Sequence, residues 1–374
     1  MKTMGFPRMM KELGERRAFL PEFFGSLQAC GAPVTLESGY GSRLGYDESD
    51  YRSVNKNVRI GSLEEAYGQD LVVILRAPRM DELEMIKRGA VLVSMLHYPT
   101  RAHRNEVLKE LGIKAVSLDS VRDDFMNRIV FNPTGTSANG MELAFQALAE
   151  ARLDFFSHRR RPLQVGIMGL GPIGQKAARW AGRFGSHDLL ERARQSRARG
   201  VIVHMLPRNF TCERRDMERL LPRLDILVDA TTREDPYKYI VDNRMIGLMK
   251  PDAVILDLTA DPYLTDGLGT QVKAIEGIPT GDLSNTVIRT DDPLYEQIPD
   301  GVSTEHRRTV VSCNAWPGVK PEECMRLYGI QIAPLLQKLV KKDPYAMKAD
   351  APDYFERAIA RSTLEYYEAN ERKR

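Results

Sequence analysis

The chain has few cysteines, and it has no long apolar run of the kind found in membrane proteins. Its 374 residues include only four cysteines, and no two of them have C-x-x-C spacing. No histidine lies at zinc-ligand spacing, so we predict no metal site and the reduced thiols of a cytoplasmic protein. No apolar run approaches the length of a membrane span, and the N-terminus lacks the apolar core of a signal peptide.

The net charge is also low, at +3 over the whole sequence. This balance favours neither nucleic acid nor a membrane surface as a partner. Basic clusters occur at 159–161 and 192–199. We interpret them as solvated faces, and the alternative is a nucleic-acid patch. The expected partner is a small molecule, and a homo-oligomer is left open. With an ordinary hydrophobic fraction of 43%, the length predicts about two domains.

The most informative stretch that is present is rich in glycine. A short apolar run, 165–168, leads into Gly169, Gly171 and Gly174, and a helical pattern of small residues follows. A G-x-G-x-x-G motif between a strand and a helix predicts a dinucleotide site. Gly169 would form the tight turn, Gly171 would let the backbone approach a pyrophosphate, and Gly174 would let helix pack on strand. The alternative is a glycine-rich turn in another α/β protein.

The strand that follows this motif bears on the choice of cofactor. It is predicted over 201–206 and ends at Pro207-Arg208-Asn209, with no acid to hold a ribose hydroxyl. Because an arginine can pair with a 2′-phosphate, we favour NADP(H) and keep NAD(H) possible. The alternative is that Arg208 faces solvent and a backbone group holds the ribose. The predicted nucleotide-binding residues are Gly169, Gly171, Gly174, Pro172, Ile173, Arg208, Asn209, Thr231 and Ser137.

Strands and helices alternate in the first third of the chain. Strands predicted over 71–75, 91–96 and 115–118 are each followed directly by a polar residue. This alternation predicts a parallel sheet, whose strands bind ligands beyond their carboxyl ends. Arg76, His97 and Asp119 would therefore share one edge.

The whole pattern predicts an α/β protein with two doubly wound parallel-sheet domains and a cleft between them. A substrate domain would comprise residues 1–135 and 308–374. A Rossmann dinucleotide-binding domain would comprise residues 136–307.

Several segments match, in order, those of one enzyme family. They are 16–21 for R-V-A-L-T-P, 75–78 for V-K-E-P, 96–97 for L-H, 118–121 for Y-E-T-V, 257–261 for D-x-A-x-D and 314–318 for N-x-P-G. Over most of its length the chain resembles the alanine dehydrogenase and pyridine-nucleotide transhydrogenase family. The relatives of this family include the lysine-forming saccharopine dehydrogenases and N5-carboxyethylornithine synthase.

The resemblance implies roles for individual residues. Arg16 would hold the substrate carboxylate, and Arg76, a lysine in alanine dehydrogenases, would also grip the substrate. His97 would donate or accept a proton near the oxo or imino group. Asp261 would lie near the nicotinamide and the reacting carbon, and Asn314 at the cleft between the domains.

Each of these residues has a structural alternative. His97 at the end of a strand could be structural, and Arg16 and Arg76 could form surface ion pairs. Asp261 could cap a helix or brace a turn. Asp119 completes the predicted substrate-binding group.

Three departures from the family pattern point to a larger substrate than alanine. Arginine replaces lysine at position 76, the ribose acid is missing, and residues 273–304 are longer than in compact alanine dehydrogenases. We therefore predict an NADP(H)-dependent oxidoreductase that acts on the CH–NH or CH–NH₂ group of an amino acid. It would be an amino-acid dehydrogenase, or it would join an amine to a 2-oxo acid, as opine and saccharopine enzymes do. The alternative is a non-enzymatic nucleotide-binding sensor or scaffold on the same fold.

Overall fold

The structure is a computed structural model, and it describes residues 1–10, 14–233, 235–266 and 269–370. The chain divides into two compact units. Unit 1 comprises Met1–Lys11, Glu15–Asn132 and Pro321–Arg374, and unit 2 comprises Glu12–Gly14 and Pro133–Lys320.

The strands of the described residues are mostly short and buried. In chain order they are β1 Met4–Phe6, β2 Val34–Glu37, β3 Val58–Gly61, β4 Leu71–Arg76, β5 Val91–Met95, β6 Lys114–Ser117, β7 Leu163–Met168, β8 Val201–Leu206, β9 Ile226–Asp229, β10 Val254–Asp257, β11 Leu264–Asp266, β12 Gly269–Gln271, β13 Val287–Ile288 and β14 Thr309–Ser312.

The α-helices of the described residues range from single turns to long rods. In chain order they are α1 Pro21–Leu27, α2 Glu48–Val54, α3 Leu63–Tyr67, α4 Met80–Leu83, α5 Ala102–Glu110, α6 Pro133–Ala151, α7 Pro172–Ala181, α8 His187–Gln195, α9 Arg208–Thr211, α10 Arg214–Leu220, α11 Asn243–Gly247, α12 Pro321–Leu339, α13 Tyr354–Arg361 and α14 Leu364–Asn370. None of these helices is both long and apolar enough to cross a membrane.

Unit 1 contains a six-stranded sheet in the order β3-β2-β1-β4-β5-β6, and all its pairs are parallel. Strand β4 is buried nearly throughout, as expected of a parallel strand covered by helices on both faces. Local signals set the helix starts. Asp47 caps α2 in a capping box with Asp50, Ser62 caps α3 with Glu65, and Pro21 opens α1.

Aromatic packing fixes the segment that leads into α1. Phe6, at the end of β1, contacts Phe19, Phe23 and Phe24 edge to face, with ring centroids 4.9–6.0 Å apart. All four side chains are buried. Because Phe19 is held in this cluster, the preceding residues are kept near the carboxyl end of β1.

Unit 2 contains a second six-stranded sheet, in the order β13-β14-β10-β9-β7-β8. Its pairs are parallel except for β13 with β14. The predicted α/β fold with two parallel-dominated sheets is confirmed. The boundary predicted at residue 308 differs from the unit boundary at Lys320, because β14 pairs along its whole length with β10. Residues 308–320 therefore lie in unit 2.

Some elements differ from the sequence-based expectation. Strand β3 was not predicted. The polar stretch that precedes β8 contains α8, which Ser186 caps and which buries Leu189 and Ala193. A helix with only two buried side chains leaves a weak apolar signal in the sequence.

Candidate functional site

In unit 1, three predicted residues lie at one edge of the sheet. Arg76 ends β4, His97 follows β5 and Asp119 follows β6, and these strands are neighbours in the order β4-β5-β6. Since all three strands run in the same direction, their carboxyl ends lie side by side. The sheet therefore brings a cation, an imidazole and a carboxylate to the edge where parallel sheets bind ligands.

His97 and Asp119 form a hydrogen-bonded pair at this edge. Nδ1 of His97 lies 3.4 Å from Oδ2 of Asp119. The other carboxylate oxygen, Oδ1, accepts the His97 backbone N–H at 3.2 Å and the Ser117 hydroxyl at 2.6 Å. Burial alone would raise the pKa of Asp119, but the hydrogen bonds from His97 and Ser117 hold it well below its usual range. Asp119 thus remains an ionised acceptor that orients the ring.

The backbone of His97 has an unusual conformation. Its φ of 52° and ψ of 52° lie in the left-handed region, where a non-glycine residue carries strain. About half of its side chain (52%) is exposed while Asp119 beneath it is buried. One ring nitrogen is therefore anchored, and the ring is open to a ligand.

Arg76 and Arg17 share one buried carboxylate. Glu15 is fully buried, and its Oε2 lies 3.5 Å from Nη1 of Arg76. Its Oε1 accepts a hydrogen bond from Nε of Arg17 at 2.9 Å. Arg76 is thus part of an ion pair, while Arg16, between Glu15 and Arg17, is exposed. The sequence reasoning missed Glu15, although an acid next to two arginines is a signal for such a pair.

An open surface cleft lies beside this carboxylate at the carboxyl ends of β1 and β2. Its cationic lining residues are Arg8, Arg16, Arg17 and Arg43. Nη1 of Arg43 donates to the Glu15 carbonyl at 2.8 Å, which fixes this arginine against the Glu15–Arg17 segment. The cleft therefore has the charge that an acidic ligand requires.

In unit 2, the glycine motif forms the predicted strand–turn–helix. Gly169 has a φ of 98°, and a Cβ there would lie 2.4 Å from the Ala230 carbonyl oxygen. At Gly174 a Cβ would lie 2.1 Å from the Gly169 carbonyl oxygen, whereas at Gly171 it would meet nothing within 4 Å. Two glycines thus permit close packing, and the third leaves the backbone at the start of α7 open. This arrangement fits a pyrophosphate at a helix N-terminus.

The other predicted nucleotide-binding residues surround this turn. Pro172 and Ile173 form the first turn of α7. The hydroxyl of Ser137, a fully buried residue of α6, donates to the Ile173 carbonyl at 2.9 Å. Ser137 thus supports the start of α7 from behind. Arg208 and Asn209 begin α9 just beyond β8, and both are exposed.

Asp261 follows β10 and is held by an arginine. Its Oδ2 accepts a hydrogen bond from Nη2 of Arg233 at 2.9 Å, and the same nitrogen donates to the Val272 carbonyl. Nearly half of the Asp261 side chain (45%) is exposed, while the Arg233 side chain is almost buried. Asn314 follows β14 and is exposed, and its N–H donates to the Gly281 carbonyl.

A buried charge cluster lies beneath Thr231 and Asp261. Asp229 and Asp257 end β9 and β10 at paired positions and are fully buried. Nζ of Lys273 lies 2.7 Å from Oδ2 of Asp257, and this ammonium group is also buried. Although burial alone would raise it, the charge of Lys273 keeps the pKa of Asp257 below its ordinary value.

Asp229 has the opposite behaviour. Burial, followed by the negative charge of Asp257, raises the pKa of Asp229 to about 6. The sequence reasoning missed the roles of Asp229 and Lys273. An acid at the end of each of two buried strands was the available signal.

Two segments of the chain match models of known protein families. Residues 5–134 match the model of the alanine dehydrogenase/PNT N-terminal domain. Residues 139–260 match the NAD-binding domain of the D-isomer specific 2-hydroxyacid dehydrogenases. The first matched segment thus lies almost entirely in unit 1 and the second in unit 2.

An NAD(P) transhydrogenase subunit and an alanine dehydrogenase each align with most of the chain. The NAD(P) transhydrogenase subunit alpha of Haemophilus influenzae is 23% identical, over 95% of this chain and 70% of that protein. The alanine dehydrogenase of Bacillus subtilis is 22% identical, over 79% of this chain and 76% of that enzyme. The resemblance to alanine dehydrogenases and transhydrogenases is confirmed.

Solved structures show the same fold. An L-alanine dehydrogenase superposes with a TM-score of 0.71 and 17% identity, over 96% of this chain and 94% of that one. A transhydrogenase from Sinorhizobium meliloti gives a TM-score of 0.59 and 18% identity, over 90% and 94%. Together with the domain matches, these relatives indicate an NAD(P)-dependent oxidoreductase of alanine dehydrogenase type. Nearness to the saccharopine and carboxyethylornithine enzymes stays a prediction.

Proposed function

We propose that this protein reductively joins an amine to a 2-oxo acid, with NADP(H) as the preferred cofactor. Unit 1 would bind the substrates and unit 2 the nucleotide. The product would be a secondary amine that carries the carboxylate of the oxo acid and, when the amine is an amino acid, a second carboxylate.

The observation that carries this proposal is the arginine-lined cleft of unit 1. Within the described residues, only Arg17 of its four arginines forms an ion pair, with Glu15. Glu37 lies nearby, and its carboxylate accepts the Arg8 backbone N–H at 2.7 Å. Arg16 and Arg43 thus provide two positive charges, which is more than a substrate with a single carboxylate requires. Arginine binds carboxylates in a planar fork, which suits a substrate with two acidic ends.

The chemistry assigns proton transfer to His97. The amine nitrogen adds to the carbonyl carbon of the oxo acid, and departure of the oxygen as water leaves an imine that is protonated on nitrogen, so that addition of a hydride to its carbon gives the neutral secondary amine. A bound nicotinamide would supply the hydride for the imine carbon. His97 would give its proton to the departing oxygen, because Asp119 holds Nδ1 and leaves Nε2 for the substrate. An imidazole can serve as either a general acid or a general base, so the same ring suits both directions of transfer.

The first test compares substrates with one and two acidic groups. Purified protein is assayed for NADPH oxidation with pyruvate or 2-oxoglutarate, each with ammonia, lysine or ornithine. We expect turnover with an amino-acid amine. Arg43→Met should raise the KM of that amine about 10- to 100-fold, as loss of a charged hydrogen bond implies, and leave the KM of ammonia unchanged.

The control is Arg52→Met, which removes an exposed arginine that pairs with Glu48 on α2. It should leave both KM values unchanged. Turnover with ammonia alone, unaffected by Arg43→Met, would contradict the condensation and leave a simple amino-acid dehydrogenase.

The cofactor preference rests on Arg208, which is exposed at the end of β8, where no acid follows the strand. Because a guanidinium pairs with a 2′-phosphate, Arg208→Ala should weaken NADPH binding about tenfold or more and leave NADH binding nearly unchanged. Calorimetric titration of both nucleotides measures this. Equal affinities in the wild type would contradict the preference.

A second candidate function is hydride exchange between two nucleotides. It is favoured by the match to a transhydrogenase subunit over 95% of this chain. Reduction of an NAD⁺ analogue by NADPH without any amine would support it. Nucleotide binding without either activity would leave the sensor or scaffold alternative.

A further inference from the structure

The buried acids at the ends of β9 and β10 are unequally compensated. Asp257 pairs with Lys273 and also accepts the Ser312 hydroxyl at 3.1 Å. Asp229 lies opposite Asp257 on the next strand, and in the described part of the chain no cation pairs with it. Two ionised carboxylates and one ammonium group would leave one buried negative charge, which is strongly unfavourable.

The hydrogen bonds between these acids require an additional proton. Oδ1 of Asp229 accepts the Thr231 N–H at 3.0 Å and the Thr231 hydroxyl at 2.7 Å. Oδ2 of Asp229 lies 3.3 Å from the Thr259 hydroxyl, which lies 3.0 Å from Oδ1 of Asp257. One hydroxyl has a single proton and cannot donate to both carboxylates. A proton on Oδ2 of Asp229 completes the chain, because Asp229 then donates to Thr259 and Thr259 donates to Asp257.

The same two carboxylates organise the turns that follow the strands. Asp257 accepts the N–H groups of Thr259 and Ala260, which lead to Asp261. Asp229 fixes Thr231 by accepting its backbone N–H. Thr231 lies so close to Gly169 that a Cβ atom added to this glycine would be only 3.2 Å from the Thr231 Cα. The Asp229 turn therefore packs against the first glycine of the nucleotide motif.

We propose that Asp229 carries a proton in mildly acidic solution, and that this proton holds the glycine turn and the Asp261 turn in the arrangement that binds the nicotinamide nucleotide. Asp229 is a positioning residue that acts through Thr231 and Thr259. This inference rests on the proposed nucleotide site in unit 2.

The sign of the expected pH dependence follows from the surrounding charges. The titratable groups that act on Asp229 are Asp257 on β10 and Asp261, which follows β10. Lys273 forms its ion pair with Asp257. The uncharged Ser312 of β14 contacts Asp257, and on β7 the residue paired with Asp229 is the uncharged Met168. The raised pKa of Asp229 means that the folded form binds this proton more tightly than the unfolded chain. The proton is lost as the pH rises through that value, and nucleotide affinity should fall with it.

The test measures nucleotide binding in place of turnover. NAD⁺ and NADP⁺ are titrated calorimetrically into the wild type and Asp229→Asn, between about pH 5 and pH 8. If the nucleotide binds only the protonated form, its dissociation constant rises about twofold at half-ionisation and approaches tenfold per further pH unit. Asp229→Asn should remove this rise, because the amide mimics the protonated acid by accepting from Thr231 and donating to Thr259.

Two controls make the outcome decisive. NAD⁺ lacks the 2′-phosphate, so its pH profile is free of that group's own titration. Asp225→Asn alters another buried acid of unit 2, which pairs with Arg152 and Lys250, and it should retain the wild-type profile. The carbonyl stretching band of a protonated acid, followed by infrared titration of the wild type, tests the proton even if Asp229→Asn fails to fold.

The inference is overturned if the wild type and Asp229→Asn share one pH profile, or if no such band titrates near neutral pH. Absence of nucleotide binding at every pH would instead contradict the proposed function.

Discussion

Replacing Asp257 by asparagine is expected to lower the free energy of unfolding by about 3–5 kcal/mol, the usual cost of breaking a buried ion pair from one side. The change leaves the ammonium group of Lys273 buried without its counter-ion. It also weakens the acceptor of the Thr259 and Ala260 N–H groups. Denaturant unfolding at neutral pH measures the loss.

A double-mutant cycle separates the ion pair from general damage. Lys273→Met alone leaves the Asp257 charge buried and should also destabilise, whereas the double variant removes both charges and should recover part of the loss. An Asp257→Asn loss below about 1 kcal/mol would contradict the expectation. It would mean that Asp229 becomes the counter-ion of Lys273.

Replacing His97 by alanine is expected to lower turnover about 10²- to 10⁴-fold, the range of general acid–base catalysis. Nucleotide affinity should not change, because His97 belongs to unit 1 and the nucleotide motif to unit 2. Steady-state rates with the best amine and oxo acid, together with calorimetric titration of the nucleotide, measure both quantities.

The matched control is His103→Ala, which removes an exposed histidine of α5. It should retain full turnover. His97→Gly separates chemistry from backbone strain, since glycine accepts the φ of 52° without the cost that alanine carries. The glycine variant should be as inactive as the alanine variant and more stable. Recovery of turnover in the glycine variant would contradict a proton-transfer role.

The parallel sheets were predictable because their strands are short apolar runs that end in polar residues. The strand over Val201–Leu206 was predicted with the same ends as observed. The glycine motif was predictable for a different reason, since only glycine tolerates the φ of Gly169 and the close approach at Gly174. Strand β14 was predicted in the substrate domain, whereas it pairs with β10 of unit 2, a partner that is distant in sequence.

The sequence by itself determined the fold class, the nucleotide motif and the set of polar residues that follow the strands, because these depend on local periodicity and on residue type. Only the tertiary structure decided which of those residues meet. It placed His97 against Asp119, formed an ion pair between Arg76 and Glu15, and brought arginines from separate segments together around one cleft. It also placed Asp229 beside Asp257 in the dry interior. Charge pairing and proton affinity depend on distance and burial, and neither is encoded at any single position of the chain.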